Sequence, residues 1–177
     1  MKNWGKFLLS RALEKLHSDE PLNLDDYLPV DRNQVFTSVA SIDDLIEEIG
    51  RLRGRPIKMI QWDLPPDLYG ARAAGKSVDY IIYERNTAAV HQEHIKAHEL
   101  GHILANHDII PIGEIEEDLA VVLMRASQGS GYDEREAEAL AEALQSEIIR
   151  RVGLQALTKQ VSTSPVWSDI ARGLAID

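Results

Sequence analysis

The chain has 177 residues, 44% hydrophobic and 27% charged, which are the proportions of a folded domain with a sizeable core and not of a disordered chain. A formal net charge of −10 argues against direct nucleic-acid binding, because phosphate contacts require a basic surface. Cysteine is absent, so disulfides and thiolate metal sites are excluded together; any metal must rest on His, Asp or Glu, and the composition agrees with a cytoplasmic protein.

Asn3 caps a predicted helix over 3–17, where Trp4, Phe7, Leu8, Ala12 and Leu16 fall at helical spacing. Its apolar run Phe7-Leu8-Leu9 is cut by Ser10 and Arg11, too short for a signal-peptide core. No stretch approaches the roughly eighteen apolar residues of a membrane span, so no membrane association is expected. A polar connector with Pro21 and Pro29 follows. Ser41 with Asp44 resembles a capping box, and Ile42, Leu45, Ile46, Ile49 and Leu52 form the stripe of a second helix closed by Gly54 and Pro56. The period then changes. Residues 57–63 and 79–84 read as strands, and 68–74 as a shorter one before a Gly75-Lys76-Ser77 turn. The expected sheet is small and mainly antiparallel, with its last strand leading into a helix that reaches His107.

Pro111 and Gly113 break the chain; a helix over 114–126 and a loop at 127–131 follow. Asp133 caps a helix over 134–152 whose stripe is Ala137, Leu140, Ala141, Leu144 and Ile148. A short helix is expected around 167–174. The reading is an α+β protein: residues 1–40 an N-terminal helix and connector, 41–152 the main domain, and 153–177 an extension. The last strand, 79–84, which leads into the helix described next, could pair with an extended peptide at the sheet edge or serve only the core.

The chemistry concentrates at His98-Glu99-Leu100-Gly101-His102, a His-Glu-x-x-His pattern. Residues four apart on a helix stand one turn above each other, so His98 and His102 can offer two imidazole nitrogens to one ion, with Glu99 beside it as general base. With six His and fifteen Glu in the chain, random placement gives roughly 0.02 such patterns. Val90, Ala97, Leu100, Ile103 and Leu104 form the apolar face of the same helix, and the histidines occupy a different stripe.

Two histidines leave a metal one protein ligand short, and three places offer a third. Asp108 stands where a metzincin pattern has its last ligand, but Ala105 replaces the glycine of the intervening turn. His91 and His94 share the arc of His98 and His102, yet an ideal helix cannot bend three successive turns onto one ion. The later helix carries Glu134, Glu136 and Glu138. Glu134 lies about 60° from the centre of the apolar stripe, and the other two about 100° away on opposite sides. Glu134 is therefore the carboxylate best aimed inward. Glu138, one turn on, could accept a hydrogen bond from a ligand imidazole and fix its tautomer, whereas Glu136 reads as a solvated surface charge.

Together, His98-Glu99-Leu100-Gly101-His102 and Glu134-Arg135-Glu136-Ala137-Glu138-Ala139-Leu140-Ala141 resemble the two motifs of the ImmA/IrrE family of bacterial zinc metallopeptidases. The upstream runs Arg53–Ile57, Asp79–Glu84 and His91–Ile95 are similar to its short stand-alone members, labelled toxin or regulator components. The likeness spans roughly residues 40–150. It implies a zincin fold with a gluzincin-like site, His98, His102 and Glu134 on zinc and Glu99 as base. It also implies a cytoplasmic protein partner, a helix-turn-helix repressor encoded beside the peptidase and relieved by cleavage. Glu138 stands where the family more often has Asn or Asp. The rival expectations are a zinc-containing regulator or toxin component that acts by binding its partner, and a small-molecule metallohydrolase. Tyr132, His91 and His94 are candidates for a further oxyanion donor.

Overall fold

The computed structural model describes residues 22–113, 122 and 131–163, with side chains of the last stretch from 133 to 158. Apart from Val122, the helices expected over 3–17, 114–126 and 167–174, most of the 127–131 loop and the Tyr132 side chain lie outside this description.

A 3-10 turn at Leu24–Asp26 and a single helical turn, α1 (Arg32–Val35), open the described chain. Helix α2 (Ile42–Arg53) starts on the capping box read from the sequence: Ser41 Oγ accepts from Asp44 N–H, and the Asp44 carboxylate accepts from Ser41 N–H. It ends on Gly54 at φ 66°, a left-handed conformation that glycine adopts without a Cβ penalty. Strands β1 (Ile57–Trp62), β2 (Gly70–Ala74) and β3 (Asp79–Glu84) follow, then α3 (Ala89–Ala105), β4 (Ile110–Pro111) and the long α4 (Gly131–Thr163).

The sheet order is β1-β3-β2-β4, and it is mixed where mainly antiparallel pairing was expected. Only β2 and β3 run antiparallel; β1 pairs β3 in parallel, and β4 pairs β2 in parallel. The reason lies in burial. β3 is the strand with the most buried residues, Asp79, Ile81, Ile82 and Glu84, so it takes an interior position between β1 and β2 and is not the edge strand that could have paired with a peptide. Pro65, Pro66 and Asp67, the last at φ 68°, carry the chain from β1 to β2 without a tight hairpin.

Ile81 belongs to the main core, where Phe36, Leu45, Ile46 and Ile49 meet Leu100, Leu104, Leu140 and Leu144. Ile82 belongs to a smaller cluster with Ala71, Ala73, Ile112 and Val122. Leu24, Tyr27, Leu28, Val35, Phe36 and Val39 lie in the main core, so the boundary drawn at residue 40 does not separate two cores. Buried Lys96 holds α3 to α2 by meeting Asp43, and it also meets Glu93 one turn earlier. Helix α4 runs through Gly153, where the sequence suggested an end; a Cβ there would meet nothing within 4 Å, so the position faces open space. Among the described residues no helix is long and apolar enough to cross a membrane.

Candidate metal centre

Helix α3 packs along α4, and Gly101 sets how closely. A Cβ on Gly101 would lie 2.7 Å from the Ala137 carbonyl oxygen and 3.2 Å from Leu140 Cβ. Glycine at this crossing lets the α4 backbone approach, and Glu134, one turn before Ala137, reaches the histidine pair.

His98 Nε2 and His102 Nε2 face each other at 3.0 Å. Glu134 completes a triangle, with Oε2 3.1 Å from His98 Nε2 and Oε1 3.5 Å from His102 Nε2. These three residues form the one group among the described residues whose donor atoms converge as metal ligands would. The hydrogen-bond network shows which tautomers would leave the facing nitrogens free to bind a cation. Glu138 Oε2 lies 3.0 Å from His98 Nδ1 and Glu134 Oε2 3.1 Å from His98 Nε2, so two carboxylates face the ring; a neutral His98 that keeps its hydrogen on Nδ1, toward Glu138, leaves its Nε2 lone pair for a cation. His107 Nε2 donates to Glu136 Oε2 at 2.9 Å, which leaves His107 Nδ1 as the acceptor for His102 Nδ1–H, also at 2.9 Å. His102 Nε2 is therefore a bare lone pair too. Burial, and after it the nearby Arg72 guanidinium, hold the His102 pKa down to about 2, so the ring is neutral.

Two lone pairs and a carboxylate at this separation repel one another unless a cation lies between them. A tetrahedral ion with bonds of roughly 2.0–2.1 Å spaces its ligands by about 3.3 Å, close to the three edges seen. The donor set fits a divalent ion.

Glu99 is buried beside this triangle, and burial raises its pKa above the usual carboxylate range against the opposing pull of Arg72, whose Nη1 is 3.4 Å away. Gly70 makes room for it: a Cβ there would stand 2.6 Å from Glu99 Oε1 and 2.8 Å from Ile95 Cγ2. The site opens on a cleft of about 410 Å³ bordered by the Asp67–Arg72 segment on one side and by His91, His94 and Glu134 among the others. Ala74 O accepts from Ile112 N–H on the β4 side of β2. Backbone alternation turns the main-chain groups of Gly70 and Arg72 to that same side, where the two-residue β4 pairs only Ala73 and Ala74.

The remaining sequence candidates fall into place around this centre. His91 and His94 line the cleft, His91 bonded to Thr87 and His94 Nε2 3.1 Å from Glu138 Oε1. The Asp108 carboxylate is not in the converging group; its carbonyl accepts from Arg72 Nη2. Glu136 is not the solvated charge expected of it: its side chain is 17% exposed, accepts from Tyr27 Oη–H and binds His107. Sequence reasoning missed Arg72, His107 and Tyr27. Asn106 was a usable signal for His107, since asparagine tolerates the left-handed turn that ends a helix and folds the next residue back.

Comparison with family models, with curated proteins and with solved structures found no match. What the site can do follows from its own atoms: it can hold a divalent cation, keep a buried carboxylate beside it, and present a strand edge that, among the described residues, only β4 pairs in part.

Proposed function

We propose that the chain is a zinc-dependent endopeptidase with a gluzincin-like centre in which His98, His102 and Glu134 hold the metal and Glu99 is the general base. The observation that carries the reading is the pair of facing Nε2 atoms closed by Glu134, with Glu99 buried alongside in the space left by Gly70. Two imidazoles and a carboxylate are a donor set suited to zinc. When bound, zinc supplies Lewis-acid chemistry, activating water and polarising a carbonyl.

The chain's own residues do the rest. Glu99 takes the proton of the attacking water and returns it to the departing amine; its raised pKa suits it to both transfers. Arg72, on β2 beside Glu99, is a donor placed to meet negative charge developing on a carbonyl oxygen. The outward main-chain groups of Gly70 and Arg72 can pair with an extended peptide, which favours a polypeptide substrate over a small molecule. The likeness of the two motifs to ImmA/IrrE peptidases supports a cytoplasmic helix-turn-helix regulator as that polypeptide.

The test is digestion of a diverse peptide library, and of a helix-turn-helix protein encoded beside this chain, by the zinc-loaded protein. Mass spectrometry should find cleavages that need both zinc and Glu99. A folded protein holding one zinc that cleaves neither the library nor the neighbour's product would refute the peptidase reading.

A further inference from the structure

Beyond the three ligand positions, His102 is the end of a buried polar chain. Its Nδ1 meets His107 Nδ1 at 2.9 Å, His107 Nε2 meets Glu136 Oε2 at 2.9 Å, and the other Glu136 oxygen accepts from Tyr27 Oη–H. The side chains of His102, His107 and Glu136 are 1%, 7% and 17% exposed. Asp133 Oδ1 also approaches His107 Nε2, but at 3.7 Å it is too far to take the hydrogen bond from Glu136.

We propose that His107, anchored by Glu136 and through it by Tyr27, is a positioning residue that fixes the tautomer of His102 so that its Nε2 lone pair faces the metal position. The inference rests on the metal site proposed above.

With both imidazoles neutral, the chain has one consistent polarity. Tyr27 donates, and Glu136 can only accept, so His107 Nε2 carries a hydrogen and His107 Nδ1 does not. His102 must then carry its hydrogen on Nδ1. In the other His102 tautomer two lone pairs would confront each other at 2.9 Å, and an N–H would point where a cation has to lie. His98 obtains the same control directly from Glu138, whereas His102 reaches a carboxylate only through the second imidazole. Local backbone geometry places that imidazole. Helix α3 ends on Asn106 at φ 58°, and His107 N–H bonds back to the His102 carbonyl at 3.0 Å, which folds the His107 ring against its partner with centroids 5.0 Å apart. Tyr27 ties this arrangement to the segment preceding α2, so residues outside the two sequence motifs take part in shaping the centre.

Groups that orient a ligand histidine typically change metal affinity tenfold to a hundredfold when removed. The experiment measures zinc affinity of the full chain by competition with a chromophoric chelator. It also reads the imidazole nitrogens of the metal-free protein by 15N–1H correlation. His107→Leu should lose about ten- to a hundredfold in affinity and move His102 toward the Nε2–H tautomer. His107→Gln has an oxygen to accept from His102 and an amide to donate to Glu136, and should recover affinity to within about threefold of the parent. Glu136→Ala, which leaves His107 in place, should give a loss of about threefold to tenfold and serves as the decisive variant if His107→Leu does not fold. A folded Leu or Ala variant that keeps parental affinity, or that loses affinity with His102 still protonated on Nδ1, overturns the proposal and leaves the metal site standing. Equal zinc content in the parent and Glu134→Ala would instead overturn the metal site, and the proposal with it.

Discussion

Gly101 and Ala137 meet at the crossing of α3 and α4 so closely that a Cβ on Gly101 would lie 2.7 Å from the Ala137 carbonyl oxygen. The contact is backbone to backbone, so no side chain can rotate away to relieve it. It also fixes the height at which Glu134 stands over His98 and His102, coupling packing to the metal centre.

Gly101→Ala should therefore force the helices apart. Overpacking of this kind costs about 1–3 kcal/mol, visible as a lower midpoint in urea unfolding. Zinc affinity should fall as well, because Glu134 recedes from the imidazoles. Parental stability and affinity in Gly101→Ala would contradict a crossing that couples packing to the metal centre.

Metal removal gives a second prediction. A ligand that binds only the folded chain, at a thousandfold excess over its Kd, stabilises by about 4 kcal/mol, or roughly 10 °C in Tm for a domain of this size. The chelated protein should melt lower by that order, and Glu134→Ala should melt at the same temperature with or without zinc. Thermal scans in zinc and in EDTA decide it; an EDTA-insensitive Tm in the parent would contradict the site.

A third prediction concerns Glu147, remote from the centre. Arg150, with Arg151 behind it, bonds the buried Glu147 carboxylate and lowers its pKa from 4.5 to about 2. Arg151 also reaches the Asn33 side chain, linking α4 to α1. A carboxyl depressed in the folded state adds stability above its unfolded pKa and loses it as pH falls through the folded value. The contribution is thus complete above about pH 4.5 and gone near pH 2. Since Arg150 is half-exposed, about 1–2 kcal/mol is the expected size. Urea midpoints of the parent and Glu147→Gln should differ above pH 4.5 and converge toward pH 2; a pH-independent difference would contradict this account.

Local signals in the sequence were strong where chemistry and backbone geometry coincide. Ser41, Asp44 and Gly54 delimit α2 because caps and left-handed turns act within a few residues. The 3.6-residue period put His98 and His102 on one stripe and picked out Glu134, and the structure brings those three together, although the Glu134 side chain stays half-exposed. Strand order was not legible, because pairing partners are chosen by burial across the whole sheet: β3 sits between β1 and β2 although β2 precedes it in the chain. Glu136 was misread for a related reason. Its distance from the apolar stripe said exposed, but His107 and Tyr27 arrive from other parts of the chain to cover it. A helical wheel contains no information about either.

The last prediction separates an enzyme from a metal-holding scaffold. Glu99 is not among the three converging ligand residues, and it is buried in space that exists because residue 70 has no Cβ. Glu99→Gln keeps size and hydrogen-bonding capacity while abolishing basicity, so folding and zinc affinity should survive while peptide cleavage falls by about 10² or more. Gly70→Ala should reach a similar end by another route: the new methyl group would push the Glu99 carboxylate out of place, lowering cleavage with metal content little changed. Steady-state cleavage of a fluorogenic peptide drawn from the library, with zinc content measured on the same samples, provides the comparison. Undiminished cleavage by Glu99→Gln would remove Glu99 as the base, and a target effect that persists in that variant without cleavage would assign the protein a binding role.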